Sequence, residues 1–153
     1  MTELGSFSDL ASIKGNTVER PKNLPDGFYI TTISGPCKEH KSAKKGTLAM
    51  RFPVRLQGAQ DEEVQAHIAA DPKLQKALER EYFVDFWMTA DSLWRFTSFC
   101  KAQGISDDLN IVEMAEALVA SGNPFLLKGT NEADANDPEK VFFRIGDPVP
   151  MPA

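Results

Sequence analysis

Two stretches of strict alternation between apolar and other side chains constrain this sequence more than any other feature. From Thr47 to Leu56 an apolar residue stands at every second position, and the stretch from Glu81 to Thr89 repeats the pattern with aromatic residues. A period of two places successive side chains on opposite faces of a β-strand, so each stretch predicts a strand with one buried face. Pro53 cannot donate a backbone hydrogen bond, so we expect a bulge or a sheet edge there.

Shorter β-branched and aromatic runs predict three further strands, and helical patterns fill the spaces between them. The predicted strands are Phe28–Ser34, Pro124–Gly129 and Val141–Gly146. The predicted helices are a solvated insert from Asp61 to Arg80 that breaks at Asp71-Pro72, one through LWRFTSFCKAQ that Gly104 ends, and one from Ile111 to Ala120. This order predicts a mainly β, α+β fold: a five-stranded OB-fold barrel with helices between strands three and four and a helical insert between strands two and three.

The domain limits follow from the same patterns. Residues 1–25 are polar and show no usable period, so we expect a flexible N-terminal arm; the OB-fold domain is predicted at 26–148 and a C-terminal tail at 149–153. The first ten residues lack the apolar segment of a signal peptide, and no apolar run reaches the ~20 residues of a membrane helix. We therefore expect a cytoplasmic protein with no membrane partner, in which Cys37 and Cys100 are free thiols.

Sequence patterns that predict catalysis are missing. His40 and His67 have no Cys, Asp or Glu at a spacing typical of metal sites. The segment Lys44–Thr47 carries lysine and glycine in the reverse of the order that a phosphate-binding loop requires. We therefore predict a binding protein rather than an enzyme, with no catalytic residue, no metal site and no cofactor.

Charge is distributed unevenly along the chain. The net charge is −5, but the segment from Phe28 to Gln57 holds six basic residues and one acid, a local charge of +5 that leaves −10 for the remainder. The cations of this segment are Lys38, Lys41, Lys44, Lys45, Arg51 and Arg55. A basic stripe on an acidic body can attract a polyanion although the whole chain is acidic.

Alternation also predicts which rings face outward. The residues expected to face the core are Tyr82, Val84, Phe86 and Met88 on the third strand and Val141, Phe143 and Ile145 on the last. Phe83 and Trp87 then stand on the outer face of the third strand, and Phe142 and Arg144 on that of the last. The alternative is that Phe83 and Trp87 pack beneath the insert Asp61–Arg80.

Exposed rings between cations suit single-stranded nucleic acid, because bases stack on the rings while cations follow the phosphates. We predict phosphate contacts from Lys38, Lys41, Lys44, Lys45, Arg51, Arg55 and Arg144, and base stacking on Phe83, Trp87 and Tyr29. The alternative is a protein-interaction or virion structural module whose exposed strands pair with another chain. Homo-oligomerisation is left open by either hypothesis.

Several segments together resemble a known family. They are the strand Gly27-Phe28-Tyr29, the loop Lys44–Thr47, the helix LWRFTSFCKAQGI, and the run EALVASGNPFLLKG followed by VFFRI. Over about Pro25 to Pro148 the chain resembles small bacteriophage early proteins of the OB-fold single-stranded-DNA-binding type. The resemblance implies a role in phage DNA replication or recombination, with replication or recombination proteins as partners in the host cytoplasm.

Overall fold

The computed structural model describes Ala11, residues 22–137 and residues 140–152. Within these residues the strands are β1 Gly27–Ile33, β2 Lys38–Lys41, β3 Leu48–Ala59, β4 Tyr82–Trp87, β5 Phe125–Ala133 and β6 Val141–Pro150. The helices are α1 Glu62–Ala69, α2 Pro72–Leu78, α3 Ala90–Ala102 and α4 Ile111–Ser121. The prediction of a mainly β fold with inserted helices is confirmed. Most of the predicted N-terminal arm lies outside the described residues.

β3 organises the single antiparallel sheet because it is 12 residues long and pairs along both edges. Val54 pairs with Ile33 of β1 on one edge and with β4 on the other, while Arg51 pairs with Lys38 of β2 and again with β4. β1 and β2 therefore follow one another along the same edge of β3, and Gly35-Pro36 lies between them. β1 also pairs with β5, and β5 with β6.

The sheet is open, so the prediction of a five-stranded barrel is wrong in both strand number and closure. Closure would need β4 to pair with β6, and the described chain has no such pairing. The sixth strand is β2, which forms at Lys38–Lys41, after Gly35-Pro36, where no strand was predicted. Pro148 and Pro150 lack backbone N–H groups, and α3 contacts both β4 and β6. Together these features leave a gap between the two strands.

The core lies against the inner face of β3 and β4. On β3 the alternating residues Met50, Phe52, Val54 and Leu56 are buried, which confirms the predicted facing of this strand. Phe96 of α3 stacks on Phe52, with 6.0 Å between ring centroids. The prediction of a solvated insert is wrong for its inner side, because Ile68, Leu74 and Ala77 of α1 and α2 are buried in the core. Their burial fixes both short helices against the sheet.

Phe143 of β6 closes the gap from the inside. Its ring centroid lies 5.9 Å from that of Tyr29 on β1 and 6.0 Å from that of Tyr82 on β4, edge to face in both cases. A side chain at Gly129 of β5 would overlap this ring, so only glycine leaves room for it. Phe143 therefore joins strands that no backbone ladder joins.

Two predicted side-chain directions near the ends of strands are wrong. Met88 and Val141 were expected to face inward but are 45% and 43% exposed. Met88 follows the last residue of β4, and Val141 is the first residue of β6, opposite Ala133 at the margin of the core. Leu24, placed in the predicted arm, is buried. β6 extends to Pro150 through pairing with the start of β5, so it enters the predicted tail.

No described helix is long and apolar enough to cross a bilayer.

Candidate nucleic-acid interface

The cations and rings predicted from the sequence meet on the outer surface of β2, β3 and β4, which we call the strand face. Lys38, Arg51 and Asp85 occupy one cross-strand row, and Trp87 ends the next. Residues paired across antiparallel strands point to the same side of the sheet. The predicted phosphate contacts Lys38 and Arg51 therefore share a surface with the predicted stacking residue Trp87.

Arg51 is held in place by a carboxylate and a ring. Its Nε and Nη2 donate to Asp85 Oδ1 and Oδ2 at 2.8 and 2.9 Å, and its guanidinium carbon lies 4.8 Å from the centre of the Phe83 ring. These hydrogen bonds raise the pKa of the Arg51 guanidinium further above its already high value. Asp85 leaves the two N–H groups of Nη1 unused, so an incoming oxygen could still be bound there.

The rings of Phe83 and Trp87 are both accessible to solvent, Phe83 more so than Trp87. Phe83 is 44% exposed, so the alternative that it packs beneath the helical insert is wrong. Trp87 is half-buried and lies beside His40, with 6.2 Å between ring centroids. The two rings stand four residues apart on the outer side of β4, a distance of about 13 Å at the rise of an extended strand. Two separated stacking platforms thus lie along one strand.

Two of the three remaining lysines extend this surface at one end. Lys41 is the last residue of β2, and Lys44 and Lys45 lie in the turn that connects β2 to β3; all three are exposed. Gly46 permits the turn because it adopts a positive φ of 67°, and its N–H donates to Ser42 O. The turn therefore projects Lys44 and Lys45 beyond the strand face, whereas Lys41 pairs with Leu48 and so lies on the opposite side of the sheet.

Arg55 lies further along β3, on the same outer side. It pairs in register with Thr32 of β1 and is exposed. No ion pair links it to any residue that the structure describes. Its guanidinium is therefore available to a phosphate without displacing a carboxylate.

A cleft of about 820 Å³ adjoins the strand face where β4 and β6 fail to pair. Phe83 and Trp87 line it from β4, α3 lines a further side, and Arg144 lines it from β6. Arg144 Nε donates to Glu132 Oε2 at 2.7 Å. The structure therefore brings the predicted residue Arg144 to the same surface as both predicted rings, although a carboxylate already partners it.

Tyr29 does not belong to this surface, and its predicted stacking role is wrong. Its side chain is 1% exposed, and its hydroxyl donates to Pro25 O at 2.6 Å. Desolvation raises the pKa of the phenol. Tyr29 faces inward because its partner across the ladder is Leu127, a core residue of β5.

Three contributors were missed at the sequence level. Trp94 and Arg95 of α3 line the cleft, and Asp85 pairs with Arg51. Trp94 could have been found, because Leu93, Phe96 and Cys100 form an i, i+3, i+7 apolar stripe on this helix and Trp94 lies off it. The Arg51–Asp85 pair could not, since it depends on the register between β3 and β4.

Among the described residues, no group of three His, Cys, Asp or Glu side chains is placed to hold a metal ion. Comparison with known proteins adds no assignment: no family model matches this chain, and no curated protein matches it. The functional argument therefore rests on the geometry of the strand face and the cleft.

Proposed function

We propose that this protein binds single-stranded DNA with little sequence preference along the strand face. The observation that carries the proposal is the position of Phe83, an exposed ring with Arg51 against it and Trp87 on the same strand. Bases stack on aromatic rings at about 1–3 kcal/mol each, whatever their sequence, and flanking cations bind the phosphates. The lysines of the β2–β3 hairpin supply such cations at one end of the face.

The strand connectivity supports an open variant of the OB-fold. With β1 and β2 taken as two parts of one strand, that strand pairs with the second and the fourth, the second with the third, and the fourth with the fifth. OB-folds bind oligonucleotides on their second and third strands and on the loop between the first and second. Here those elements are β3, β4 and the lysine hairpin, which are the elements that carry the proposed site.

The biological setting is part of the same proposal. The resemblance to phage early proteins favours a role in genome replication or recombination in the host cytoplasm, where replication or recombination proteins would be partners. We propose binding without catalysis, because stacking and phosphate contacts account for the residues of the strand face and require no reaction. Selectivity for unpaired strands follows from the need to insert rings between or against bases.

A titration with oligo-dT tests the proposal directly. Tryptophan emission should be quenched, and the fluorescence anisotropy of labelled DNA should rise, with an affinity that falls steeply as salt increases. A duplex of the same length is the control and should bind more weakly. Absence of binding at low salt would contradict the proposal.

A second candidate, protein association, is favoured by one observation on the half of the sheet formed by β1, β5 and β6. Phe28 of β1 and Val149 of β6 are both exposed on the outer face of β1, β5 and β6, beside Leu126. Exposed apolar side chains that adjoin one another often mark protein contacts. Light scattering separates the candidates: oligomerisation that Phe28→Ser abolishes, without salt-sensitive DNA binding, would favour association.

A further inference from the structure

Trp94 is the most exposed of the large apolar side chains in the described part of the chain. It is 70% exposed, on the side of α3 that faces the cleft. The neighbouring turns of α3 bury Phe96 and Phe99, so the helix is fixed in place and holds the indole at the cleft. An indole ring on a rigid support is a preorganised stacking platform.

The charges that line the cleft are balanced. Its walls contain two arginines, Arg95 and Arg144, and two aspartates, Asp85 and Asp147. Arg95 pairs with Asp147 at 3.0 Å, and Arg144 pairs with Glu132. A balanced lining gives no net attraction for a phosphate, whereas its rings can accept flat, uncharged groups. The cleft therefore suits bases better than it suits the sugar–phosphate backbone.

The cleft is continuous with the strand face because they share a wall. Phe83 and Trp87 belong to the strand face and also line the cleft, opposite residues of α3 and β6. Its volume of about 820 Å³ lies within the ~300–1,000 Å³ of sites that bind small organic molecules. A polynucleotide that crosses β4 can thus turn its bases into the cleft while its phosphates stay near the exposed lysines.

We infer that the cleft between β4 and β6 receives unstacked bases of the bound strand, and that Trp94 is an additional stacking residue there. The inference rests on the proposed function and assigns the two parts of the surface different ligands. The strand face and its hairpin bind phosphates and bases, and the cleft binds bases alone.

Salt dependence distinguishes these roles. Replacing Trp94 by Ala should weaken binding to oligo-dT about fivefold to 150-fold, the range for losing one stacked base. The slope of log affinity against log salt concentration should stay unchanged, since no phosphate contact is lost. On an abasic oligonucleotide of the same length, the variant and the unmodified protein should bind equally.

Phe142→Ala is the matched control, because Phe142 is a 40% exposed ring of β6 that does not line the cleft. It should leave the affinity for oligo-dT unchanged. A direct signal is also accessible, since the chain has only two tryptophans. In the Trp87→Phe variant, the emission of Trp94 alone should be quenched by oligo-dT.

The outcomes separate this inference from the proposed function. If the unmodified protein binds oligo-dT but Trp94→Ala binds equally well, the inference is overturned and the proposed function stands. The inference is also overturned if the emission of Trp94 is not quenched in a Trp87→Phe variant that still binds oligo-dT. If the unmodified protein shows no binding at low salt, both are overturned.

Discussion

Arg51 and Asp85 are joined by two parallel hydrogen bonds of 2.8 and 2.9 Å, across neighbouring strands on the proposed binding surface. A bidentate pair of this kind fixes the guanidinium in a plane. It also puts a carboxylate where a phosphate would approach Arg51. The pair therefore positions Arg51 over Phe83 and at the same time competes with a nucleic acid ligand.

Replacing Asp85 by Asn should strengthen binding of single-stranded DNA. The change removes a negative charge near the phosphates, and one charge pair at 4 Å in water is worth about 1 kcal/mol, or roughly fivefold in affinity. Folding stability should fall by less than about 1 kcal/mol, because both side chains are partly exposed. Anisotropy titrations and urea unfolding measure the two effects.

Glu116→Gln is the control for this change, since it removes one exposed charge from α4, away from the strand face. It should alter the affinity little. Weaker binding by Asp85→Asn would instead mean that the ion pair is needed to hold Phe83 and Arg51 in their binding arrangement.

The double substitution Lys44→Glu with Lys45→Glu should weaken binding and flatten its salt dependence. Each phosphate contact to a single strand contributes about 0.7 to the slope of log affinity against log salt, so loss of two should reduce the slope by about 1.4. Anisotropy titrations at several salt concentrations measure it. Lys76→Glu on α2 provides the comparison, and an equal effect of that variant would argue against a specific role for the hairpin.

Gly129→Ala should destabilise the fold by about 1–3 kcal/mol, the usual cost of an overpacked core. The added methyl group would displace Phe143 from its contacts with Tyr29 and Tyr82. Gly146→Ala is the matched control, because its added carbon would lie at an ordinary 3.6 Å from Lys128 O. Urea unfolding compares them, and equal stability of both variants would show that Phe143 has room to move.

The cysteines should differ in reactivity. Burial raises the pKa of Cys100 to about 12, and partial burial raises that of Cys37 above its ordinary 9.0. At pH 8 the thiol reagent DTNB should modify Cys37 slowly and Cys100 only after unfolding, because the thiolate is the reactive form. Since folding raises both pKa values, these two thiols stabilise the folded state at neutral pH, and their contribution is lost as the pH rises above about 9.

A Cys37→Ser variant isolates Cys100 for this measurement. Its remaining thiol should react in denaturant and stay protected in buffer. Rapid modification in buffer would show that α3, which buries Cys100, opens readily.

Alternation was enough to assign the faces of β3 and most of β4, because each inward residue there is apolar and Arg51, Arg55 and Asp85 mark the outer side. The first strand lacked such a marker. Every residue of FYITTI is aromatic or β-branched, and such residues occur on both buried and exposed faces of strands. Tyr29 was therefore assigned to the wrong side. The direction of its side chain is set by pairing with Leu127 of β5, which lies 98 residues further along the chain.

The candidate site was predictable in its residue types and only partly in its arrangement. Lys38, Arg51, Phe83 and Trp87 were expected on one surface and lie on one surface. The cleft was not expected, because an open gap between β4 and β6 depends on three-dimensional placement of α3. Local patterns in a sequence carry no information on whether the two edge strands, here β4 and β6, meet.

The double pairing of β3 has a consequence for motion. Ala49, Met50, Arg51 and Val54 have ladder partners on both edges, so the amide protons of this central part of β3 should exchange with solvent only when the whole domain unfolds. β6 is bonded along one edge and can separate from β4 by small local openings. The width of the cleft can then fluctuate to admit a ligand while the centre of the sheet stays rigid.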